Sequence, residues 1–155
     1  SLRSRPGEHV WLDLKPYPGP VVGDHRYCLA IFDKGTMRCN KVDLVFKNQA
    51  GDGMDRLIAA WGLHKFPYQC TAHFDGCGAM TLIEQSCWQH GLNTSYVPVD
   101  DQSLNYAEVM LRRTFDAACA TLVDLRGVIP ARYIREVVST IMRQNNYSAT
   151  TTERD

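Results

Sequence analysis

The sequence lacks several features that would place it in a functional class at once. Its 17 basic and 17 acidic residues cancel, so no overall field draws the chain to nucleic acid or to a membrane, and any DNA contact must come from a local patch. No apolar run approaches the roughly 20 residues that span a bilayer, and residues 1–7 carry no apolar signal segment. These absences predict a soluble intracellular protein without a membrane span.

A cysteine pair of the CxxC type is also missing, although the chain has six cysteines. Most of them lie within apolar segments, where a free thiol behaves as a small hydrophobic group. We therefore predict buried, reduced thiols, with Cys119 on the inner face of a helix. The alternative is a zinc site, but the spacing of its candidate ligands matches no common tetrahedral template. Those ligands are His73, Cys77, Cys87 and His90.

The length and composition favour one domain with a substantial core. A chain of 155 residues with 45% hydrophobic content is long enough for one core and too short for two. We predict an N-terminal extension over residues 1–8, a core domain over 9–146, and a disordered tail or linker over 147–155, where Ser and Thr predominate.

Within the core domain, the hydrophobic patterns predict three strands followed by alternating helices and strands. The fourth strand ends at Asp75, and a helix should end at Gly62. Asp100 and Asp101 are candidate N-caps for a long helix, and Pro130 suits the first turn of the last one. The predicted strands are 10–15, 27–32, 41–46, the segment ending at 75, and 93–99, and the shorter helices cover 54–61 and 80–88.

The order βββαβαβαα predicts an α/β domain with a mixed five-stranded sheet and helices on both faces. In such a sheet the first strand is central, and a right-handed crossover places the fourth strand beside it. Asp13 in the first strand and Asp75 at the end of the fourth would then lie side by side.

Asp13, Asp75 and Glu108 are the candidate functional residues of this arrangement. Glu108 opens the long helix, and the topology would bring it to the same point of the sheet. Clustered carboxylates are costly unless a cation neutralises them. Two divalent cations bridged by carboxylates are a common apparatus for in-line displacement at phosphorus. The triad therefore predicts a two-metal phosphoryl-transfer site. Taken singly, each acid could instead be structural, and Glu108 could form an ordinary surface pair with Arg112.

Six segments in order, spanning residues 9 to about 146, resemble the catalytic core of integrases from Copia/Ty-type LTR retrotransposons. That family belongs to the retroviral integrase superfamily and has a ribonuclease-H-like fold. The segments that carry the resemblance are Leu12-Asp13-Leu14 with Gly19-Pro20-Val21, Tyr27 to Asp33, Asp75-Gly76-Cys77-Gly78, Gly91 to Tyr96, Ala107-Glu108 with Arg113-Thr114-Phe115, and Ile129-Pro130 to Asn145.

The resemblance implies a DDE-type DNA strand transferase. Asp13 would bridge two Mg²⁺ or Mn²⁺ ions, and Asp75 and Glu108 would each hold one. Arg112, Arg113 and Asn105 would contact DNA, weakly and without sequence preference in the isolated core. The resemblance also implies a homodimer and a nuclear location. We read Arg126, Arg132, Arg135 and Arg143 as ordinary solvated charges.

The sequence also departs from the family pattern around the acids. Only 32 residues separate Asp75 from Glu108, fewer than is usual for the family, and Ala79 and Val109 replace a Glu and an Arg. These departures favour an alternative, in which a host has domesticated an inactive integrase fold as a DNA-binding, dimerisation or protein-interaction module of a chromosomal protein. A generic ribonuclease-H-like nuclease is a third reading, supported by topology alone.

Overall fold

The computed structural model describes residues 4–76, 78–97 and 105–154, and for residues 149–154 it describes the backbone alone. Five strands and four α-helices alternate in the predicted order. The strands are β1 (His9–Pro16), β2 (Tyr27–Asp33), β3 (Arg38–Leu44), β4 (Thr71–Asp75) and β5 (Asn93–Val97). The helices are α1 (Ala50–Trp61), α2 (Met80–Gln89), α3 (Tyr106–Asp124) and α4 (Ile134–Arg154).

The strands form one mixed sheet in the order β3-β2-β1-β4-β5. β1, β2 and β3 are antiparallel neighbours, whereas β4 lies parallel to both β1 and β5. This confirms the predicted meander, the central position of β1 and the place of β4 beside it. The predicted class, an α/β domain with a mixed five-stranded sheet of ribonuclease-H-like arrangement, is confirmed.

Helices cover both faces of the sheet, and each face has its own apolar core. α1 and α2 pack on one face, over side chains such as Leu12, Leu29 and Phe74. α3 and α4 pack on the other face, over Trp11 and Phe32. Because both of its faces are covered, β2 is buried at every residue after Tyr27, which explains its nearly continuous apolar sequence.

Glycine allows α1 to approach the sheet closely and then to end. A Cβ at Gly53 would lie 3.1 Å from the methyl carbons of Leu29 and Leu44, so a larger residue would push the helix away. Gly62 caps α1 with a φ of 62°, in the left-handed region that glycine adopts without strain. The predicted end of this helix is confirmed.

Several boundaries differ from the predictions. β3 covers residues 38–44 rather than 41–46, because its antiparallel pairing ends where Leu44 meets Tyr27 and Phe46 is exposed. β5 ends at Val97, so the predicted residues 98 and 99 lie outside the described part of the chain, as do Asp100 and Asp101. The N-cap of α3 is Asn105.

The C-terminal segment also differs from its prediction. A single 3-10 turn follows Pro130, and α4 then continues to Arg154, where the sequence predicted a disordered tail or linker from residue 147. Extending an existing helix requires no new nucleus, so polar residues can continue it. The predicted division into extension, core domain and tail stays a prediction. None of the described helices is long and apolar enough to cross a membrane.

The buried thiols are confirmed at four positions, Cys28, Cys39, Cys70 and Cys87. Burial raises the pKa of each of these thiols to about 12, so they stay protonated at neutral pH. Cys119 was predicted on the inner face of α3 and is exposed instead; Ala118 and Leu122 take the buried face. Cys77 lies outside the described residues.

Candidate active site

The topology brings two of the three candidate acids to the same place on one face of the sheet. Trp11 in β1 pairs with His73 in the parallel strand β4, and Asp13 and Asp75 each follow two residues later. Side chains two residues apart on a strand point to the same face. Asp13 and Asp75 therefore face the side of the sheet that α3 covers.

Glu108 reaches this site from the first turn of α3. Asn105 fixes that turn, because its side-chain oxygen accepts a hydrogen bond from the backbone N–H of Glu108 at 3.1 Å. The Asn105 amide also donates to the carbonyl oxygen of Leu12 at 3.4 Å. One buried side chain thus caps the helix and ties it to the strand that carries Asp13.

The Asp13 carboxyl group has a pKa well above its ordinary value. Its side chain is buried, and its Oδ2 atom has no hydrogen-bond partner. Burial raises the pKa of Asp13 to about 6, Lys15 opposes the rise, and the negative charges of Glu108 and Asp75 add to it. An anionic oxygen that accepts no hydrogen bond and lies near other carboxylates is an arrangement that a bound cation would stabilise.

Lys15 is the cation nearest to this oxygen, and the sequence analysis did not find it. Its Nζ atom lies 3.8 Å from Asp13 Oδ2 and 3.9 Å from Glu108 Oε1. The pattern was available, since Lys15 follows Asp13 by two residues on the same strand and so shares its face. Glu108 pairs with Lys15 and not with Arg112, which excludes the ordinary helical surface pair in this structure.

The fit of these residues to a metal is partial. The orphaned Asp13 oxygen and the neighbouring acids match the hard oxygen donors that Mg²⁺ and Mn²⁺ prefer. Across the residues that the structure describes, however, no three His, Cys, Asp or Glu side chains form a group that could hold a metal ion. For Asp13, Asp75 and Glu108 to bind the same metal site, Lys15 would have to move away and the three carboxylates would have to come closer together.

A histidine pair lies beside the acids on the same face. The Nδ1 atom of His9 and the Nε2 atom of His73 are 2.9 Å apart, and the His73 ring stacks on Trp11 with centroids 4.5 Å apart. Burial and the proximity of His9 lower the pKa of His73 to about 4. In the predicted zinc alternative His73 was grouped with His90, but His90 instead contacts Asp55 at 3.1 Å.

The predicted DNA contacts differ in accessibility. Arg112 and Arg113 are exposed on α3, one turn beyond Glu108. Asn105 is fully buried, so a contact with DNA would require its side chain to leave the cap and the bond to Leu12. All three stay predictions.

Comparisons with known proteins assign a fold to the chain but no family. No family model and no curated protein matches the sequence. Among solved structures, a chain in the cryo-EM structure of the simian T-cell lymphotropic virus intasome, in complex with the PP2A regulatory subunit B56 gamma, superposes with a TM-score of 0.67. The two chains share a fold.

This likeness extends over most of the present chain and is distant in sequence. The match covers 91% of this chain and 49% of the intasome chain, at 10% identity. The present chain thus spans about half the length of the chain it resembles. Such identity shows the fold alone, and the shared fold agrees with the strand order and the two helical layers described above.

Proposed function

We propose that the chain is the catalytic core of a DDE-type DNA strand transferase, related to the integrases of Copia/Ty-type retrotransposons. The observation that carries the proposal is the buried Asp13 carboxylate, whose Oδ2 atom has no hydrogen-bond partner and whose pKa is raised partly by Glu108 and Asp75. On an integrase-like fold, three acids that interact from two adjacent strands and a helix favour this chemistry over a purely structural role.

In the proposed site, Asp13, Asp75 and Glu108 would hold two Mg²⁺ or Mn²⁺ ions, which would activate a water or a DNA 3′-hydroxyl and stabilise the leaving oxygen. The chain's own residues prepare this site. Asn105 holds Glu108 over β1, and the core beneath β1 fixes Asp13. Lys15 keeps the acids compensated until its ammonium moves aside, when it becomes available to a DNA phosphate.

DNA binding by this core alone would be weak. Arg112 and Arg113 supply exposed positive charge near the acids, but the chain as a whole is neutral. Phosphate contacts add affinity without sequence information and weaken as salt rises. We propose that the active form is a homodimer in the nucleus and that flanking domains supply further DNA contacts.

A strand-transfer assay with a labelled DNA duplex, run once with Mg²⁺ and once with Mn²⁺, tests this function. Asp75→Asn should abolish product formation while the variant remains folded, because it removes one anionic metal ligand. Asp116→Asn is the matched control, since Asp116 is exposed on α3 and should retain wild-type activity. Absence of activity in the wild-type chain with both metals, or equal activity in Asp75→Asn, would refute the enzyme proposal.

The competing function is a domesticated, inactive integrase fold that serves as an interaction module, with a chromatin or other host protein as partner. The Lys15 contacts to Asp13 and Glu108 favour it, because they partly neutralise the acids without a metal. The solved intasome, which is bound to a host regulatory subunit, makes a protein partner reasonable for this chain as well. A module of this kind would lose no binding function on Asp75→Asn, and wild type would form no strand-transfer product.

A further inference from the structure

A second polar region lies along the edge strand β3, separated from the acids by β2, since Lys41 pairs with Ala30 and Ala30 pairs with Asp13. Here a cleft of about 450 Å³ opens between β3, α1 and α4. Four cationic side chains line it, together with one carboxylate and His25. The cations are Lys41, Arg56, Arg135 and Arg143, and the carboxylate is Asp43.

The charges in this cleft do not cancel. Asp43 accepts hydrogen bonds from Lys41 Nζ at 2.7 and 2.8 Å and from the Tyr17 hydroxyl, and Arg135 Nε lies 3.6 Å from it. The single carboxylate is therefore already shared. Arg135 Nη2 also lies 3.5 Å from Glu136 Oε1. Within the described part of the chain, Arg56 and Arg143 form no ion pair, so the four cations exceed these two carboxylates by two positive charges in a chain whose total charge is zero.

The sequence places the residues of α4 on one face by helical spacing. Arg135, Ser139, Arg143 and Asn146 recur every three or four residues and so lie along one side of the helix. Arg135, Ser139 and Arg143 thus present two guanidinium groups with a hydroxyl between them to the cleft. Arg135 and Arg143, predicted to be ordinary solvated charges, instead line a cleft with Lys41 and Arg56, which come from distant segments of the chain.

The frame of the cleft is anchored independently of its charges. The Asn146 side chain accepts from the Cys39 backbone N–H at 2.9 Å and donates to the Cys39 carbonyl at 2.6 Å. It thereby holds α4 against the open edge of β3. Val42 and Met142 are buried beneath the charged rim. The positive groups thus stand on a fixed base and do not need to assemble when a ligand arrives.

We propose that this cleft binds phosphate groups. Guanidinium groups match phosphate oxygens with paired N–H donors, and surplus positive charge in a concave site concentrates anions. The same chemistry would serve the backbone of DNA or a free polyphosphate. None of the proposed catalytic acids lines the cleft, so the proposal does not require the chain to be a strand transferase.

Two probes test the proposal, inorganic tripolyphosphate by calorimetry and a fluorescent DNA duplex by anisotropy, both with the full chain at low salt. The test variant is Arg56→Gln/Arg143→Gln, since both side chains are exposed and neither forms an ion pair in the described part of the chain. We expect at least a tenfold loss of affinity for one probe or both. For DNA, the slope of log K against log salt should also fall by about one to two.

Arg126→Gln is the matched control, because Arg126 is exposed just beyond α3 and outside the cleft; it should change affinity less than twofold. Loss for DNA alone identifies backbone phosphates as the ligand, and loss for tripolyphosphate alone identifies a free phosphoanion. Wild-type affinity of the double variant for both probes, absence of binding in wild type, or an equal loss in Arg126→Gln would overturn the proposal. Tripolyphosphate binding is measured without divalent cations and without DNA, so its outcome does not depend on strand-transfer activity.

Discussion

The two polar regions of the molecule differ in how their charged groups are compensated. Around Asp13, like charges meet at a buried position, and one oxygen is left without a hydrogen bond. Around Asp43, a single carboxylate is surrounded by donors, and the surplus charge is positive and near the surface. In the first region Lys15 compensates the acids only in part, whereas in the second the carboxylate is fully hydrogen-bonded and positive charge is in excess. Hydrogen bonding makes the difference, because the Lys41 and Asp43 side chains are about as buried as those of Asp13 and Glu108.

The largest predicted effect concerns Asp13 and the pH dependence of the free energy of unfolding. The pKa of Asp13 is raised from 3.8 to about 6 in the folded protein, so folding favours its protonated form. The associated stability is present below pH 4 and is lost as the pH rises through 6. Asp13→Asn should therefore be more stable than wild type above pH 6, by up to about 3 kcal/mol.

Chemical denaturation at pH 3.5 and pH 7.5, without divalent ions, measures this difference. The advantage of Asp13→Asn should be near zero at the lower pH and fully developed at the higher one. Asp116→Asn, at an exposed position, should show no such change. A variant that is less stable than wild type at pH 7.5 would mean that the Asp13 carboxylate is not under strain.

The next effect concerns the residue that builds the acidic region. Asn105→Ala removes the cap of α3 and the hydrogen bond to the Leu12 carbonyl, so we expect a loss of about 2 kcal/mol in the free energy of unfolding. Asn105→Ser retains a capping oxygen and should recover part of that loss. If Asn105→Ala unfolds at the same denaturant concentration as wild type, Asn105 does not fix the position of Glu108.

A change at Lys15 tests how far a cation compensates the acids, because within the described residues Lys15 is the cation that pairs with Asp13 and Glu108. Lys15→Met should raise the pKa of Asp13 above 6, since Lys15 lowers it, and should tighten Mn²⁺ binding at pH 8 by about tenfold, or about 1.4 kcal/mol. NMR titration and calorimetry measure the two quantities. Lys65→Met, at an exposed position beyond α1, is the control. If both variants gave the same Asp13 pKa and the same Mn²⁺ affinity, Lys15 would not compensate the acids.

The smallest effect is expected at the basic cleft. Asn146→Ala removes two hydrogen bonds to Cys39, but the freed backbone groups lie at a sheet edge that water can reach. We therefore expect a loss of only about 1 kcal/mol in unfolding free energy, measured by denaturation. Asn145→Ala, one residue earlier and exposed, should be neutral. A loss equal to that of Asn105→Ala would show that the cleft depends on Asn146 as strongly as the acidic site depends on its cap.

The sequence predicted the acidic region better than the basic one for a physical reason. Asp13 and Asp75 lie on strands whose periodicity and order place them side by side, so a topology rule was enough. Lys41 and Arg56 meet Arg143 only through the packing of α1 and α4 around β3, which no local pattern records. The Asn105 cap and the His9–His73 contact were missed similarly, since each depends on side-chain rotamers across long separations in sequence.

We propose that the Asp13 carboxylate is a ligand for a divalent cation, and the affinity of the chain for Mn²⁺ shows whether it is. Calorimetry or electron paramagnetic resonance at pH 7.5 should show saturable binding to wild type. Binding should be lost in Asp13→Asn and retained in Asp116→Asn. Equal Mn²⁺ affinity in wild type and Asp13→Asn, or no saturable binding to wild type, would show that Asp13 is not a metal ligand.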